Sequence, residues 1–261
     1  MKSLTTAATG MFAQQINIDV IANNIANVTT TGFKRSRSEF ADLLYQDLRR
    51  VGTQSSDSAT IVPAGVRIGV GVKAVAVYRI NEQGSLVPTE NPLDVAIKGR
   101  GYFQVTLPDG TTAYTRDGTF QLSNDGTIVT ADGFAIVPNI TVPDNATGIS
   151  INGNCQVEAT IQGQITPTLL GQIQLATFIN DAGLLQSGDN LLLETEASGG
   201  PTTGNPGAVG FGLLQQNFLE QSNVDMVGEM TQLITAQRAY EINSKVIQAC
   251  DDMMATVTGI R

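Results

Sequence analysis

Residues 3 to 28 read SLTTAATGMFAQQINIDVIANNIANV, and they repeat apolar side chains with the seven-residue spacing of a paired helix. One set of positions holds Leu4, Met11, Ile18 and Ile25, and the interleaved set holds Ala7, Gln14, Ile21 and Val28. The residues between them are almost all uncharged, so the predicted helix has a narrow apolar seam and a weakly polar outer face. At 1.5 Å per residue the helix would be about 40 Å long.

A second heptad repeat lies at the other end of the chain. It spaces Met226, Leu233, Tyr240, Ile247 and Met254 seven residues apart, flanked by Met230, Ala236, Cys250 and Val257. Ser222 with Asp225 indicates a start similar to a capping box, and Gly259 suits a helix end. Two such helices can cover each other's seams only if the intervening chain returns on itself. The pattern therefore predicts a two-helix coiled coil formed by residues 1–33 and 217–261.

The middle of the chain is predicted to be β-structure. The run VRIGVGVKAVAVYRI (66–80) is rich in β-branched residues. Asp-Gly pairs begin at Asp109, Asp117, Asp125 and Asp132, so short runs of strand-forming residues alternate with turn signals every seven or eight residues. This spacing is typical of a meander of hairpins.

Changes in composition divide the chain into segments. We expect a linker or extension at 34–65, a β-rich body at 66–197 and a return linker at 198–216, because Gly, Pro, Ser and Thr accumulate around the body. The expected fold class is α+β, mainly β, with N- and C-terminal helices paired as a coiled coil and with a central β-rich body.

The composition excludes several classes of function. The chain has 261 residues, a net charge of −9 and no histidine. The negative charge disfavours nucleic acid as a partner, and the lack of histidine removes the commonest general base and metal ligand. No apolar stretch is long enough to span a bilayer, and no cleavable signal-peptide pattern is present. We therefore expect no catalytic residues, no cofactor, no metal site and no membrane insertion. We expect the two cysteines, Cys155 and Cys250, to be small core residues.

The two helices also predict self-assembly. A pair of helices leaves the flanks of each apolar seam exposed, and the outer faces of these helices carry few charges. Both features favour packing against helices of other subunits, and the alternative is an ordinary helical core. Asparagine is a poor helix former, so a cluster of three indicates carboxamides that set the register of neighbouring helices, or else a fraying helix end. The predicted self-assembly interface comprises Leu4, Met11, Ile18, Ile21, Asn23, Asn24, Ile25, Asn27, Val28, Met226, Met230, Leu233, Tyr240, Ile247 and Met254.

The string ANNIANVTTTGFKRSR resembles the N-terminal signature of the flagellar rod and hook axial proteins. The runs NPLDVAIKGRGYFQV (91–105) and AYTRDGTFQLSNDGTIVTADG (113–133) are similar to the β core of that family, and QRAYE is similar to its closing helix. The family-motif residues are Thr31, Gly32, Phe33, Lys34, Gln237, Arg238, Ala239, Tyr240 and Glu241. The resemblance covers nearly the whole chain.

The resemblance implies a structural subunit rather than an enzyme. Family members stack as a helical filament, with the terminal helices in an inner tube and the β body outside. The resemblance further implies export through the flagellar type III apparatus without a cleavable signal, and a place in the basal body where the rod crosses the periplasm to the outer membrane. Implied partners are copies of the same chain, proximal rod proteins, hook or hook-junction subunits, and the P- and L-ring proteins around the rod.

Within that family, the length and the extension at about 46–65 resemble the distal rod members, which transmit motor torque to the hook. Another rod or hook subunit is the first alternative. A trimeric secreted adhesin, whose helices would only trimerise a ligand-binding β body, is the second. We expect the extension to lock neighbouring subunits and stiffen the rod.

Overall fold

A computed structural model of the chain describes residues 2–49, 65–153, 155–164 and 166–259. The chain divides into two compact units, each assembled from segments that are far apart in sequence. Unit 1 comprises Met1–Ile25, Ser36–Tyr78 and Asp225–Arg261, and unit 2 comprises Ala26–Arg35 and Arg79–Val224.

Unit 1 contains the two long helices. Helix α1 spans Lys2–Ala26 and helix α2 spans Met226–Gly259. Helix α2 begins directly after Asp225, whose Oδ1 accepts a hydrogen bond from the Val227 amide at 3.2 Å. The helix-capping residue is therefore Asp225 rather than Ser222. The expected fold class, α+β with terminal helices and a central β-rich body, is confirmed.

Helix α1 ends earlier than the sequence pattern indicates. Residues 27–32 form turns, so Val28 lies beyond the helix. The Asn27 carbonyl accepts the Thr30 amide at 3.2 Å, and the Asn27 side chain accepts the Thr30 hydroxyl at 3.1 Å. A local asparagine turn thus replaces the next helical hydrogen bonds, followed by β-branched residues that disfavour helix. Gly32, at the end of this turn, has a φ of +69°.

Unit 1 also contains two ribbons of paired strands. The strands are β1 (Ser36–Asp42), β2 (Tyr45–Arg49), β3 (Val66–Gly69) and β4 (Val72–Arg79), with β1 paired to β4 and β2 to β3. The first two lie within the range predicted as linker, and each pairs with a strand that follows the extension. Residues 50–64, which hold most of the extension, lie outside the described residues.

Unit 2 is built almost entirely of short strands. In chain order they are β5 (Leu86–Pro88), β6 (Val95–Lys98), β7 (Tyr102–Thr106), β8 (Thr112–Thr115), β9 (Phe120–Leu122), β10 (Ile128–Thr130), β11 (Ala135–Ile136), β12 (Ala146–Ile151), β13 (Gln156–Ile161), β14 (Thr168–Gln172), β15 (Leu175–Thr177), β16 (Leu185–Gly188), β17 (Leu191–Leu193), β18 (Thr202–Gly204), β19 (Leu213–Gln216) and β20 (Phe218–Glu220). A short 3-10 turn, Asp181–Gly183, precedes β16.

The largest sheet of unit 2 has the strand order β16-β17-β8-β7-β11-β10-β9, and β15 joins it by pairing with β7 and β18. A second sheet has the order β12-β13-β14, and the pairs β19–β6 and β20–β5 complete the unit. Strands β18 and β19 lie in the range predicted as return linker. Their partners, β15 and β6, are distant in sequence, which local patterning does not reveal.

The predicted meander is present around the Asp-Gly turns. Strands β8, β9 and β10 follow one another between these turns, and β9 pairs with β10 in antiparallel register. Gly110, Gly126 and Gly133 have φ of +82°, +73° and +86°, the left-handed geometry that glycine enters without steric cost.

The core of unit 2 lies between these sheets. Phe103, Val105, Val157 and Leu175 are fully buried there, and Phe103 packs edge-to-face on Phe120 with 5.0 Å between ring centroids. A smaller cluster groups two tyrosines with Phe178, Leu184, Ala176 and Leu192. Cys155 is buried in the main core as a free thiol, and Cys250 is a buried free thiol in unit 1.

Candidate self-assembly interface

The two helices of unit 1 pair antiparallel in a constant register. The Cys250 Sγ lies 3.4 Å from the Ser3 Oγ, and the Asn24 Nδ2 lies 3.2 Å from the Glu229 Oε2. Between these points, a Cβ added to Gly10 would lie 3.0 Å from the Asn243 Nδ2. The residue numbers of each pair add to 253, so one register holds over three heptads. The two helices therefore contact each other in one fixed antiparallel register.

Small side chains let the helices approach closely. Ala7, Ala13 and Ala236 are buried, and Gly10 faces the Asn243 carboxamide. Interaxial distances shorten when the residues at a helix contact are small. The contact heptad of α2 is therefore Glu229, Ala236, Asn243 and Cys250, while the larger Leu233 and Ile247 are only half-buried beside it.

A buried polar layer sits at the end of this helix pair. The Asn24 side chain is 1% exposed and that of Glu229 4%. The Asn24 Nδ2 also donates to the Ser36 carbonyl at 2.9 Å, and its Oδ1 accepts the Ser36 amide at 2.8 Å. A buried carboxamide held by specific partners fixes register, because a slipped helix would leave it unsatisfied. Asn24 thus sets register within the subunit, while Asn23 is exposed.

The structure distributes the other predicted interface residues between two environments. Half-buried positions are Leu4, Met11, Ile18, Ile25, Leu233 and Ile247, and Ile21 is fully buried. Exposed positions are Met226, Met230, Tyr240 and Met254. Asn27 and Val28 are half-buried in the turn after α1. The seam predicted for α1 therefore packs within the subunit, whereas much of the one predicted for α2 faces outward.

Apolar side chains continue along the outside of α2. Met226, Met230, Ile234, Ile242 and Val246 are all exposed and lie four or eight residues apart, so they form a row that winds around the outside of the helix and is interrupted by Arg238. We call this row the α2 ridge. Ile234 is 56% exposed and Ile242 61%. An apolar row of this length is unusual on a surface that has no partner.

The N-terminal family motif meets a buried ion-pair cluster in unit 2. The Glu220 carboxylate binds the Lys34 Nζ at 2.5 Å and the Arg116 Nε at 2.6 Å. All three side chains are at most 9% exposed. Gly32 donates its amide to the Glu220 carbonyl at 2.8 Å, and a Cβ on Gly32 would lie 2.9 Å from the Arg116 backbone. The Gly-x-Lys spacing thus anchors the segment after α1 to β20.

The cluster contains more cations than anions. Burial raises the pKa of the Glu220 carboxyl, but the charges of Arg116 and Lys34 outweigh burial and hold this pKa below its usual 4.5. Burial lowers the pKa of Lys34, and the attraction of Glu220 does not fully offset it, since Arg116 and Arg79 repel the same ammonium group. Sequence reading identified Lys34 but missed Glu220 and Arg116, which lie 186 and 82 residues from it along the chain.

The C-terminal family motif lies on the outside of α2. Gln237 and Tyr240 are exposed, Ala239 is half-buried, and Arg238 pairs with Glu241 at 3.1 Å on the surface. Such an exposed ion pair contributes little to stability. Four of the five motif residues are exposed and Ala239 is half-buried, so this motif contributes less to internal packing than the N-terminal motif does.

Within the described ranges, no group of three or more His, Cys, Asp or Glu side chains is arranged to hold a metal ion. Neither α1 nor α2 is long and apolar enough to cross a membrane.

Three protein families match parts of this sequence. Residues 4–34 match the flagella basal body rod protein family, residues 96–159 match the D1 domain of the flagellar hook protein FlgE/F/G, and residues 215–260 match the C-terminal region of the flagellar basal body rod FlgEFG proteins. The matched segments include both helices, the meander and the ion-pair residues Lys34, Arg116 and Glu220.

Relatives align over the full length of the chain. The flagellar basal-body rod protein FlgG of Caulobacter vibrioides is 55% identical over 100% of both chains. FlgG of Borreliella burgdorferi is 46% identical over 100% of this chain and 99% of its own. The flagellar hook-basal body complex protein FlhP of Bacillus subtilis is 30% identical over 100% of both chains.

Proposed function

Because this chain belongs to the family of flagellar basal-body rod proteins, we propose that it is a structural subunit of the distal rod. In this proposal the subunits self-assemble into an open helical filament that transmits motor torque to the hook. Contacts between unlike surfaces of identical subunits generate such a filament when the rotation between them does not close.

The observation that carries the proposal is the α2 ridge. The inner side of α2 is occupied by α1 in a fixed register, and the ridge remains exposed although its members are methionine, isoleucine and valine. Burying one such side chain contributes roughly 1.5–3 kcal/mol, so several together supply a strong drive for helix-to-helix association between copies. The predicted interface residues Met226 and Met230 belong to this ridge, exposed Met254 continues its spacing eight residues after Val246, and exposed Tyr240 lies outside it.

Full-length similarity to FlgG favours the rod over the hook. The alignment with the Caulobacter relative leaves no part of either chain unmatched. Another rod or hook subunit is the second candidate, favoured by the weaker full-length similarity to FlhP. The adhesin alternative finds no support, because each of the relatives described above is a flagellar protein.

The proposal extends to partners, location and chemistry. Beyond its own copies, the subunit contacts proximal rod proteins, hook or hook-junction subunits, and the P- and L-rings. It leaves the cell through the type III export apparatus and acts where the rod crosses the periplasm. It has no catalytic activity, in keeping with a chain that contains no histidine. The extension at about 46–65 locks neighbouring subunits, so its deletion softens the filament, which electron micrographs of the deleted protein would test.

The experiment that tests the proposal changes the α2 ridge. Ile234→Glu places a carboxylate where association would bury an isoleucine, and it raises the concentration at which filaments form about tenfold or more. Light scattering against protein concentration measures this threshold, and electron microscopy identifies the particles.

Val209→Glu is the matched control. It replaces another exposed β-branched apolar residue with the same charge, but Val209 lies fully exposed in a turn of unit 2. The control should assemble at the wild-type concentration. If Ile234→Glu and Val209→Glu assemble alike, the ridge is not the contact between copies.

A further inference from the structure

A cavity of about 310 Å³ lies in unit 2, beside the ion-pair cluster. Its wall includes Lys34, Arg100, Tyr102, Arg116 and Asp181. Its volume falls at the lower end of the range of pockets that hold small ligands, about 300–1,000 Å³. Most of these lining groups are polar or charged, so the cavity is unlike an apolar packing defect.

The charges around this cavity do not balance. Among the described residues, the charged groups that line the cavity are three cations, Lys34, Arg100 and Arg116, and one carboxylate, Asp181, while Glu220 beside it binds Lys34 and Arg116. Arg79 is not among the lining residues; burial lowers the pKa of its guanidinium, and the attraction of Tyr102 and Asp181 does not fully offset this. Buried charges normally have partners, because an uncompensated ion in a protein interior is costly. The buried cations Lys34 and Arg116 share the single carboxylate of Glu220, so a further anion in the cavity would be electrostatically favourable.

Several donors near the cavity are not fully used. The Lys34 ammonium has three donors, of which one binds the Glu82 carbonyl at 2.7 Å and one binds Glu220. The Arg79 Nη2 is buried and has no hydrogen-bond partner among the described residues. Arg100 contacts Asp181 only at 3.4 Å and is 68% exposed, so it can turn toward a ligand.

Arg116 is fixed as part of the wall. Its Nε binds Glu220, its Nη1 donates to the Gly101 carbonyl, and its Nη2 donates to the Ile97 and Gly99 carbonyls at 3.2 and 2.5 Å. This side chain holds the 97–101 turn in place and keeps a permanent positive charge beside the cavity. The site is therefore preorganised, which lowers the cost of ordering on binding.

We propose that this cavity binds an oxyanion, a carboxylate or phosphate group, between Lys34, Arg100 and the 99–102 turn. Such a group supplies this further negative charge and accepts hydrogen bonds from the unused donors. It comes either from a free anion or from an acidic side chain of a second copy, and the latter source rests on the proposed self-assembly. The chain as a whole carries a net charge of −9, so acidic side chains are abundant on a second copy.

The test titrates dilute protein with inorganic phosphate and follows the amide signals of Gly99 and Gly101 by NMR. Arg100→Gln removes one cation of the cavity and should weaken phosphate binding about three- to tenfold. Asp181→Asn removes a competing carboxylate and should strengthen binding by a similar factor. The two variants thus shift the affinity in opposite directions.

Arg67→Gln and Asp47→Asn are the matched controls. Arg67 and Asp47 form an exposed ion pair at 2.7 Å in unit 1, so these variants change net charge by the same amounts away from the cavity. Both controls should bind phosphate as the wild type does. Phosphate binding that the controls change as much as the cavity variants, or no response of the Gly99 and Gly101 amides to any anion, would overturn the proposal.

A second series without phosphate distinguishes the two sources. If the same amides shift as the protein is concentrated, and phosphate suppresses the shift, a side chain of a second copy fills the cavity. If they respond to phosphate but not to protein concentration, the ligand is a free anion. Filament formation with unchanged amides leaves the proposed function intact while excluding the second copy as the source.

Discussion

Glu220→Gln should be among the most destabilising conservative changes in unit 2. The Glu220 side chain is 1% exposed and binds Lys34 at 2.5 Å, Arg116 at 2.6 Å and the Gly84 amide at 3.0 Å. The amide of glutamine keeps the shape but neutralises neither cation. Removing one partner of a buried ion pair costs about 3–5 kcal/mol, since the remaining charge stays buried. We therefore expect the free energy of unfolding of unit 2 to fall by about 3–5 kcal/mol.

Urea denaturation followed by the amide signals of β7 measures this loss for unit 2 alone. Glu241→Gln is the control, because it removes the same charge from an exposed pair with Arg238 and should change stability by at most about 0.5 kcal/mol. A loss for Glu220→Gln no larger than that of the control would refute the electrostatic reasoning.

The same cluster predicts a pH dependence. The folded state holds the pKa of Glu220 below its usual 4.5, so this carboxylate stabilises unit 2 above the unfolded pKa. As pH falls below the pKa of Glu220 in the unfolded chain, the unfolded chain binds a proton that the folded chain does not yet bind. Stability is therefore lost until pH has also fallen through the lower pKa of the folded state. The wild type should therefore lose stability below about pH 4.5 more steeply than Glu220→Gln, which lacks the titrating group.

Three further experiments, two with substitutions and one with an alkylating reagent, test how a glycine, an alanine and a cysteine are packed. Gly32→Ala should lower the melting temperature more than Gly110→Ala, because both positions have positive φ but only at Gly32 would the Cβ meet backbone, 2.9 Å away. Equal losses would remove the steric argument. Ala236→Leu should destabilise the helix pair by about 1–3 kcal/mol, seen as lost helical circular dichroism on mild heating, whereas Ala249→Leu on the exposed side should not. Cys155, whose thiol pKa is raised by burial, should resist alkylation in the folded protein and react in urea, and rapid alkylation without urea would contradict its place in the core.

Local signals in the sequence were sufficient to predict much of unit 2. The Asp-Gly turns and the alternating runs between them are decided by residues within about eight positions of one another, so the meander could be read directly. The pairing of β19 with β6 depends on segments more than a hundred residues apart, and it converts part of a predicted linker into sheet. Composition alone cannot reveal such a partner.

The helix pair shows a different limit. Hydrophobicity draws attention to Leu233 and Ile247, whereas Glu229, Asn243 and Cys250 contact α1, and of these three only Cys250 belonged to the predicted repeat. The signal was present as a second heptad of small and polar residues, matching the spacing of Ser3, Gly10 and Asn24. Where two helices pack closely, the contact positions need small side chains more than apolar ones. A search for apolar repeats therefore identifies the larger residues beside the contact instead of the contact itself.

The ion-pair cluster shows why motif residues need their partners to be understood. Lys34 was identified only as a residue of the family motif, and its ammonium is buried against Glu220 within the same unit. Nothing in the local sequence around Lys34 identifies that carboxylate. The role of the motif in unit 2 therefore followed from the tertiary structure alone.

Electron microscopy of the purified protein across a concentration series shows whether the subunits build an open rod. We expect single subunits when dilute and straight filaments above a threshold concentration, with lengths that are not fixed because the contact between copies does not close. A discrete closed oligomer of constant mass at every concentration would contradict this expectation, since the α2 ridge would then join a fixed number of copies instead of building a rod.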